Sequence, residues 1–262
     1  MKKVIAIGAL CATVAGFADG TAISSDIVGY SQKDVGKDYT IVPVQFENVT
    51  GGTINLLDYL TTGALTPVSC YGSWSDGTQI LVQSGAGYSS YLYASDGYDL
   101  SDDQMKEGWT GDDFCLVTSI PVSLGDSVWV YNQNTTDLGL TMSGAVLNDS
   151  TKTLTRGASY TLTCNPYPMA VKFSEMTVTG VTPVSCYNSW SEGTQILVQN
   201  ATGYSSYLYA TDGYDLSDDQ MKEGWTGDDF CLVSSDAVLA TVGQGFWFYN
   251  PAGVTTTATF AK

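Results

Sequence analysis

Two stretches hold most of the groups that could do chemistry. Asp96 to Asp113 reads DGYDLSDDQMKEGWTGDD, and Asp212 to Asp229 repeats the run without a change. Calcium takes about six to eight oxygen ligands, and loops dense in Asp with Gly for tight turns can supply them. Asp96 and Glu107 fall at the first and twelfth positions of an EF-hand frame. The frame then fails, because Tyr98 and Leu100 occupy ligand positions and Ser101 stands where the glycine is required. What survives is an irregular calcium loop in each copy. It would draw on Asp96, Asp99, Asp102, Asp103, Asp112 and Asp113, and on Asp212, Asp215, Asp218, Asp219, Asp228 and Asp229 in the second copy. The plainer alternative is a solvated acidic loop whose Asp residues form turns.

Catalytic groups are scarcer. The chain has no histidine, which removes the commonest general base, the usual Ser-His and Cys-His pairs, and histidine-based zinc sites. It has neither a Cys-x-x-Cys pair nor a Gly-rich phosphate loop with its lysine. Carboxylate pairs alone can run glycoside hydrolysis, but here they would form a complete active site twice over, so the expectation is a protein that is not an enzyme. Aromatic residues form the other constellation. Tyr98 and Trp109, with Tyr214 and Trp225, are candidates for a platform that takes sugar rings or a partner protein, with ordinary core and cross-strand packing as the plainer alternative, while Trp129 and Trp247, inside apolar runs, read as core.

Both acidic runs belong to a larger repeat. Thr66 to Val117 returns as Thr182 to Val233 with six substitutions, and every aromatic and both cysteines are kept. A single long period in 262 residues reads as two tandem domains, each large enough to bury a core. The expected boundaries are 24–138 and 139–262. Each copy carries eight acidic residues and one lysine, so the repeats account for 14 of the 17 net negative charges. That balance disfavours nucleic acid and anionic membranes and leaves cationic partners or metal ions open.

Ahead of the repeats, Lys2 and Lys3 precede the apolar run VIAIGALCATVAGF and then small residues, the pattern of a secretory signal peptide over residues 1–18. Cleavage is expected after Ala18 or Ala22. The run is too short for a membrane anchor, and no later segment is long and apolar enough to span a bilayer. Export agrees with the cysteines: Cys70 to Cys115 and Cys186 to Cys231 have equal spacing, which predicts one disulfide per domain, Cys70–Cys115 and Cys186–Cys231. Such a bond would contribute on the order of 4 kcal/mol. Buried free thiols are the alternative. Cys164 has no counterpart, since Pro43 stands at the matching position, and reads as a small buried hydrophobe or, alternatively, a site of intermolecular pairing.

Short β-rich runs between Gly, Asp, Ser and Asn clusters give the elements. TQILVQ and YSSYLYA, on either side of SGAG, predict a hairpin from Thr78 to Ala94, with Tyr91 and Tyr93 on one face and Leu92 on the other. FCLVTSI, DSVWVYN and VTTTATF read as further strands, and Ile54 to Leu60 as two helical turns. The fold class is all-β, with two tandem antiparallel sandwich or barrel-like domains and few short helical turns.

Four segments carry a resemblance: IVGY from Ile27, YTLTCNPYP from Tyr160, GTQILV from Gly77 and again from Gly193, and GQGFWFYNP from Gly243. Together they resemble secreted tandem β-domain proteins abundant in verrucomicrobial-type bacteria. The first domain departs from the pattern, with Pro43 and Val44 in place of Cys164 and Asn165, and GDSVWVYN lacking the second glycine. The resemblance implies export and a β-fold and brings no assigned activity. The expectation is a secreted or cell-surface structural protein that associates with itself or with other surface proteins. The alternative is a pair of glycan- or ligand-binding modules, each with an aromatic and acidic site that Ca2+ could complete.

Overall fold

The computed structural model describes residues 28–49, 51–62, 65–85 and 87–262; the expected signal peptide lies outside them. The chain is all-β and sandwich-like, and it builds the same ten-strand unit twice. In the first unit the strands are β1 Val28–Val35, β2 Asp38–Pro43, β3 Ile54–Asn55, β4 Leu60–Thr62, β5 Gln79–Ser84, β6 Gly87–Asp99, β7 Gln104–Thr110, β8 Pro121–Val122, β9 Ser127–Asn132 and β10 Leu138–Ala145. In the second they are β11 Thr151–Arg156, β12 Ser159–Cys164, β13 Val171–Lys172, β14 Met176–Thr179, β15 Gln195–Asn200, β16 Gly203–Asp215, β17 Gln220–Thr226, β18 Val238–Ala240, β19 Gly245–Asn250 and β20 Thr256–Ala261. Each unit has a five-stranded sheet, ordered β2-β9-β5-β6-β7 or β12-β19-β15-β16-β17. Opposite it lies a three-stranded sheet, β1-β10-β4 or β11-β20-β14, and all pairing within these sheets is antiparallel.

Alternation along the strands sends one set of side chains between the two sheets. In the first unit Val42, Ile80, Val128 and Val130 of the larger sheet meet Val35, Leu138, Leu140 and Met142 of the smaller. The second unit fills the same space differently. Phe246 and Phe248 replace Val128 and Val130, while Ala258 takes the place of Leu140, so volume moves from one sheet to the other and the core stays closed.

The predicted hairpin forms, with Leu92 fully buried on one face and Tyr91 and Tyr93 on the other. Its turn is tighter than four residues: Ser84 pairs with Gly87, and Gly85 has the positive φ of 59° that such a turn needs. Two expectations change. Ile54 to Leu60 holds a single helical turn, α1 Leu56–Tyr59, because Ile54 pairs with Val122 and Leu60 with Met142, which draws both ends into sheets. FCLVTSI is not a strand; Cys115 and Leu116 make one bridge each, to Tyr98 and Thr110, after Phe114 adopts a left-handed φ of 61°.

β10 pairs only with β1 and β4, so the first unit runs to Ala145 and does not stop at residue 138. Val146 packs on the first core and Leu147 lies in the second. The units then meet through hydrogen bonds. The Gly125 carbonyl accepts from the Cys164 N–H at 2.9 Å, the Thr163 hydroxyl at 2.8 Å and the Arg156 guanidinium at 2.9 Å. The matching Gly243 carbonyl faces the side that has Pro43, which has no N–H to give, and it accepts from the Lys33 ammonium at 3.0 Å. The Gln45 amide donates to the Asn165 and Tyr167 carbonyls, and Gln83 clasps the edge of β12 at Tyr160 and Leu162. Trp129 and Trp247 are not core residues. They are half-buried on the outer faces of their sheets, and their rings meet 6.1 Å apart across the seam.

No disulfide forms between Cys70 and Cys115 or between Cys186 and Cys231; all five cysteines of the described residues are free thiols. Equal spacing reflects the duplication and carries no information about Cβ separation. Cys70 is buried with Leu92 and Ala94, its thiol 3.8 Å from the Thr110 hydroxyl, whereas the Cys115 thiol turns to the Asp113 carbonyl at 3.6 Å. Burial pushes both thiols above their ordinary pKa. Cys164 is fully buried at the seam, and burial pushes it up to about 12. A thiol-reactive dye added to the unreduced, denatured chain carrying residues 28–262 is therefore expected to label five cysteines, and native protein to leave Cys164 unlabelled. Labelling of one cysteine only in the denatured chain would restore the two disulfides.

Candidate functional site

The acidic run of each repeat is the far end of the longest hairpin in its unit. β6 is 13 residues long and kinks where its pairing with β7 shifts between Ala94 and Gly97. Gly97 is required at the kink, since a Cβ there would come within 2.5 Å of both Thr110 and Leu116. Beyond the kink, Tyr98 pairs with Met105 and Asp99 with Gln104, which leaves Leu100 to Asp103 as the tip. Asp103 closes the tip with a positive φ of 62°, and its N–H donates to the Asp99 carbonyl at 3.0 Å.

The six candidate metal ligands have separate duties. Asp96 accepts from the Ser69 hydroxyl and the Cys70 N–H, both at 2.7 Å, and these two donors hold its carboxyl below the usual range. Asp99 accepts from the N–H and hydroxyl of Ser101, and the Lys106 ammonium lies 2.6 Å from Asp99 and 2.5 Å from Asp102. With Lys106 as the largest cause, Asp99 titrates well below an ordinary carboxylate. Asp103 accepts from the Tyr98 hydroxyl, Asp113 accepts from the Cys115 N–H at 3.1 Å, and Asp112 is exposed. The second unit repeats the arrangement. Asp212 accepts from Ser185 and Cys186, Lys222 bridges Asp215 and Asp218, Asp219 accepts from Tyr214, and Asp229 accepts from the Cys231 N–H, with Asp228 exposed.

Among the described residues no three Asp, Glu or Cys side chains are gathered to hold a metal ion. In each unit two of the candidate carboxylates, Asp99 with Asp102 or Asp215 with Asp218, meet on a lysine ammonium, and two carboxylates fall well short of a calcium shell.

Nor are the predicted aromatic ligand residues brought together. Trp109 lies before the kink, half-buried on the main core and edge-on to Tyr93 at 5.4 Å, while Tyr98 lies beyond it with its hydroxyl committed to Asp103. Trp225 likewise packs on Tyr209 at 5.2 Å and on Phe173, and Tyr214 is committed to Asp219. Among their polar residues the hairpins also display apolar side chains. Leu100 and Leu216 are each 74% exposed, and Met105 and Met221 are 54% and 53% exposed. Behind them Tyr71 and Tyr187 stand out from the loops that cover Leu92 and Leu208, each against a phenylalanine, Phe114 or Phe230, at 5.5 Å.

Comparison with family models, curated proteins and solved structures finds no match to the chain. No helix among the described residues is long and apolar enough to cross a membrane.

Proposed function

We propose that the protein is a non-enzymatic structural protein of the cell exterior that associates with copies of itself through its two hairpin tips. One observation carries this reading: the same leucine and methionine are left exposed at the same place in both units, beside a pair of carboxylates that a lysine already bridges. Covering one such leucine in a contact contributes roughly 1.5–3 kcal/mol, too little to join two chains alone. Two tips on one rigid chain turn weak contacts into a lasting assembly. The leader-like N-terminus supports an exterior location.

The tips are also acidic, so copies repel one another at low salt, and screening should favour contact. In sedimentation velocity the chain lacking its leader is expected to form larger species as concentration and salt rise. Leu100→Asp combined with Leu216→Asp is expected to return it to a single-chain particle, with the fold intact because both leucines face solvent. A strict monomer at every ionic strength would sink the reading.

A further inference from the structure

The seam between the units carries rings that neither core uses. Tyr39 and Tyr160, 47% and 46% exposed, each stand edge-on to the tryptophan of their own unit, at 6.0 Å and at 79° and 86°. The two tryptophans, Trp129 and Trp247, touch across the seam, and Tyr131 and Tyr249 extend the row outward at 4.8 Å and 4.6 Å. Six rings thus run without a break from one unit to the other. Ring-on-ring packing, edge-to-face at two contacts and tilted at three, orients them before any ligand arrives, which lowers the ordering cost of binding. Register places Leu81 and Ser90 on the Trp129 face, and Leu197 and Ser206 on the Trp247 face.

Charge selects the occupant. In a chain of net charge −17, none of the side chains just named on this face is charged. The rings, leucines and serines themselves offer no charge to pair with an ionic partner. Rings with phenol hydroxyls and serines between them match instead a sugar chain, whose C–H faces lie on aromatic faces and whose hydroxyls bond to phenols. We propose that the seam is a binding strip for an uncharged polysaccharide, laid across both units. Its rings stand on β2, β9, β12 and β19, and its serines, Ser90 and Ser206, lie on β6 and β16 ten residues before Leu100 and Leu216, so it is distinct from the assembly tips.

Affinity electrophoresis tests this with the chain lacking its leader, in native gels cast with hydroxyethyl cellulose, mixed-linkage β-glucan or galactomannan, and in parallel with carboxymethyl cellulose. Retardation is expected in at least one neutral gel and not in the anionic one. Tyr39→Ala with Tyr160→Ala is expected to weaken it at least about tenfold while leaving the melting temperature unchanged. Tyr39→Leu with Tyr160→Leu, which keeps apolar bulk without the ring, should weaken it as well. The Leu100→Asp, Leu216→Asp chain should bind as the parent does, which separates this strip from the assembly reading. Unaltered mobility in every neutral gel, equal retardation of the tyrosine variants, or preference for the anionic polymer would overturn the proposal. So would a dimer that the tyrosine variants dissociate, since a second copy would then be what covers the strip.

Discussion

Arg156→Met is expected to cost the folded chain about 3 kcal/mol at neutral pH, near the low end for breaking a buried ion pair, and distinctly less below about pH 4. Arg156 stands where the first unit has the core residue Val35, and it is buried. Its guanidinium donates to the Gly125 carbonyl at 2.9 Å and the Thr163 hydroxyl at 2.5 Å, and it lies 3.6 Å from the Asp126 carboxylate of the other unit. Burial pushes the Asp126 pKa up even with the arginine beside it. A carboxyl whose folded pKa is raised costs stability as pH climbs from its unfolded value through its folded one. Removing the cation enlarges that cost, so the penalty should grow upward from pH 4 and fall away under it. Asp126 retains some contact with water at 37% exposure, which keeps the figure modest. Urea denaturation across a pH series checks it: adding Asp126→Asn should flatten the dependence, and a loss equal at all pH values would mean that lost hydrogen bonds alone are responsible.

Gly144→Ala is expected to be about as damaging, at roughly 3 kcal/mol for overpacking against a fixed backbone, which lowers the melting temperature by roughly 6–12 °C for a chain of this size. A Cβ at Gly144 would lie 2.4 Å from the Glu47 carbonyl oxygen and 2.9 Å from the Phe46 Cβ. That carbonyl accepts from the Ala145 N–H at 2.9 Å, and Glu47 donates back to Ala145 at 2.8 Å, so the methyl would pry open a paired backbone. Gly144 faces Gly29 in β1, where a Cβ would strike the Phe46 ring at 2.7 Å; the two glycines make room for a phenylalanine that is 1% exposed. Gly139→Ala in the same strand is the control. Nothing lies within 4 Å of its Cβ position, and thermal melting should be unchanged or slightly higher. Equal melting of the two variants would refute the account.

What could be read in the chain beforehand was whatever depends on neighbours in sequence. The hairpin of β5 and β6 follows from alternation around a glycine-bearing turn, and the duplication from simple identity. Strand DSVWVYN was legible as a strand, but the burial of its middle residue was not. Val128 and Val130 face their own core, while Trp129 faces a surface that only the other unit supplies, and no local pattern marks that. Cysteine spacing failed for a related reason: it measures chain length, whereas Cys70 and Cys115 are held by different partners. In the acidic run the residue types announced turns. The Lys106 bridge and the commitment of Tyr98 to Asp103 depend on a kink that a glycine creates several residues earlier.

Adjacent residues at the junction, Val146 and Leu147, are gripped by different hydrophobic interiors, so the crossing from one half to the other has no slack in it. The molecule should then behave as a caliper with its jaws locked. Whatever engages both arms at once must already present its two footholds at the matching separation, and a lattice built from such pieces would inherit its repeat distance from a single peptide step.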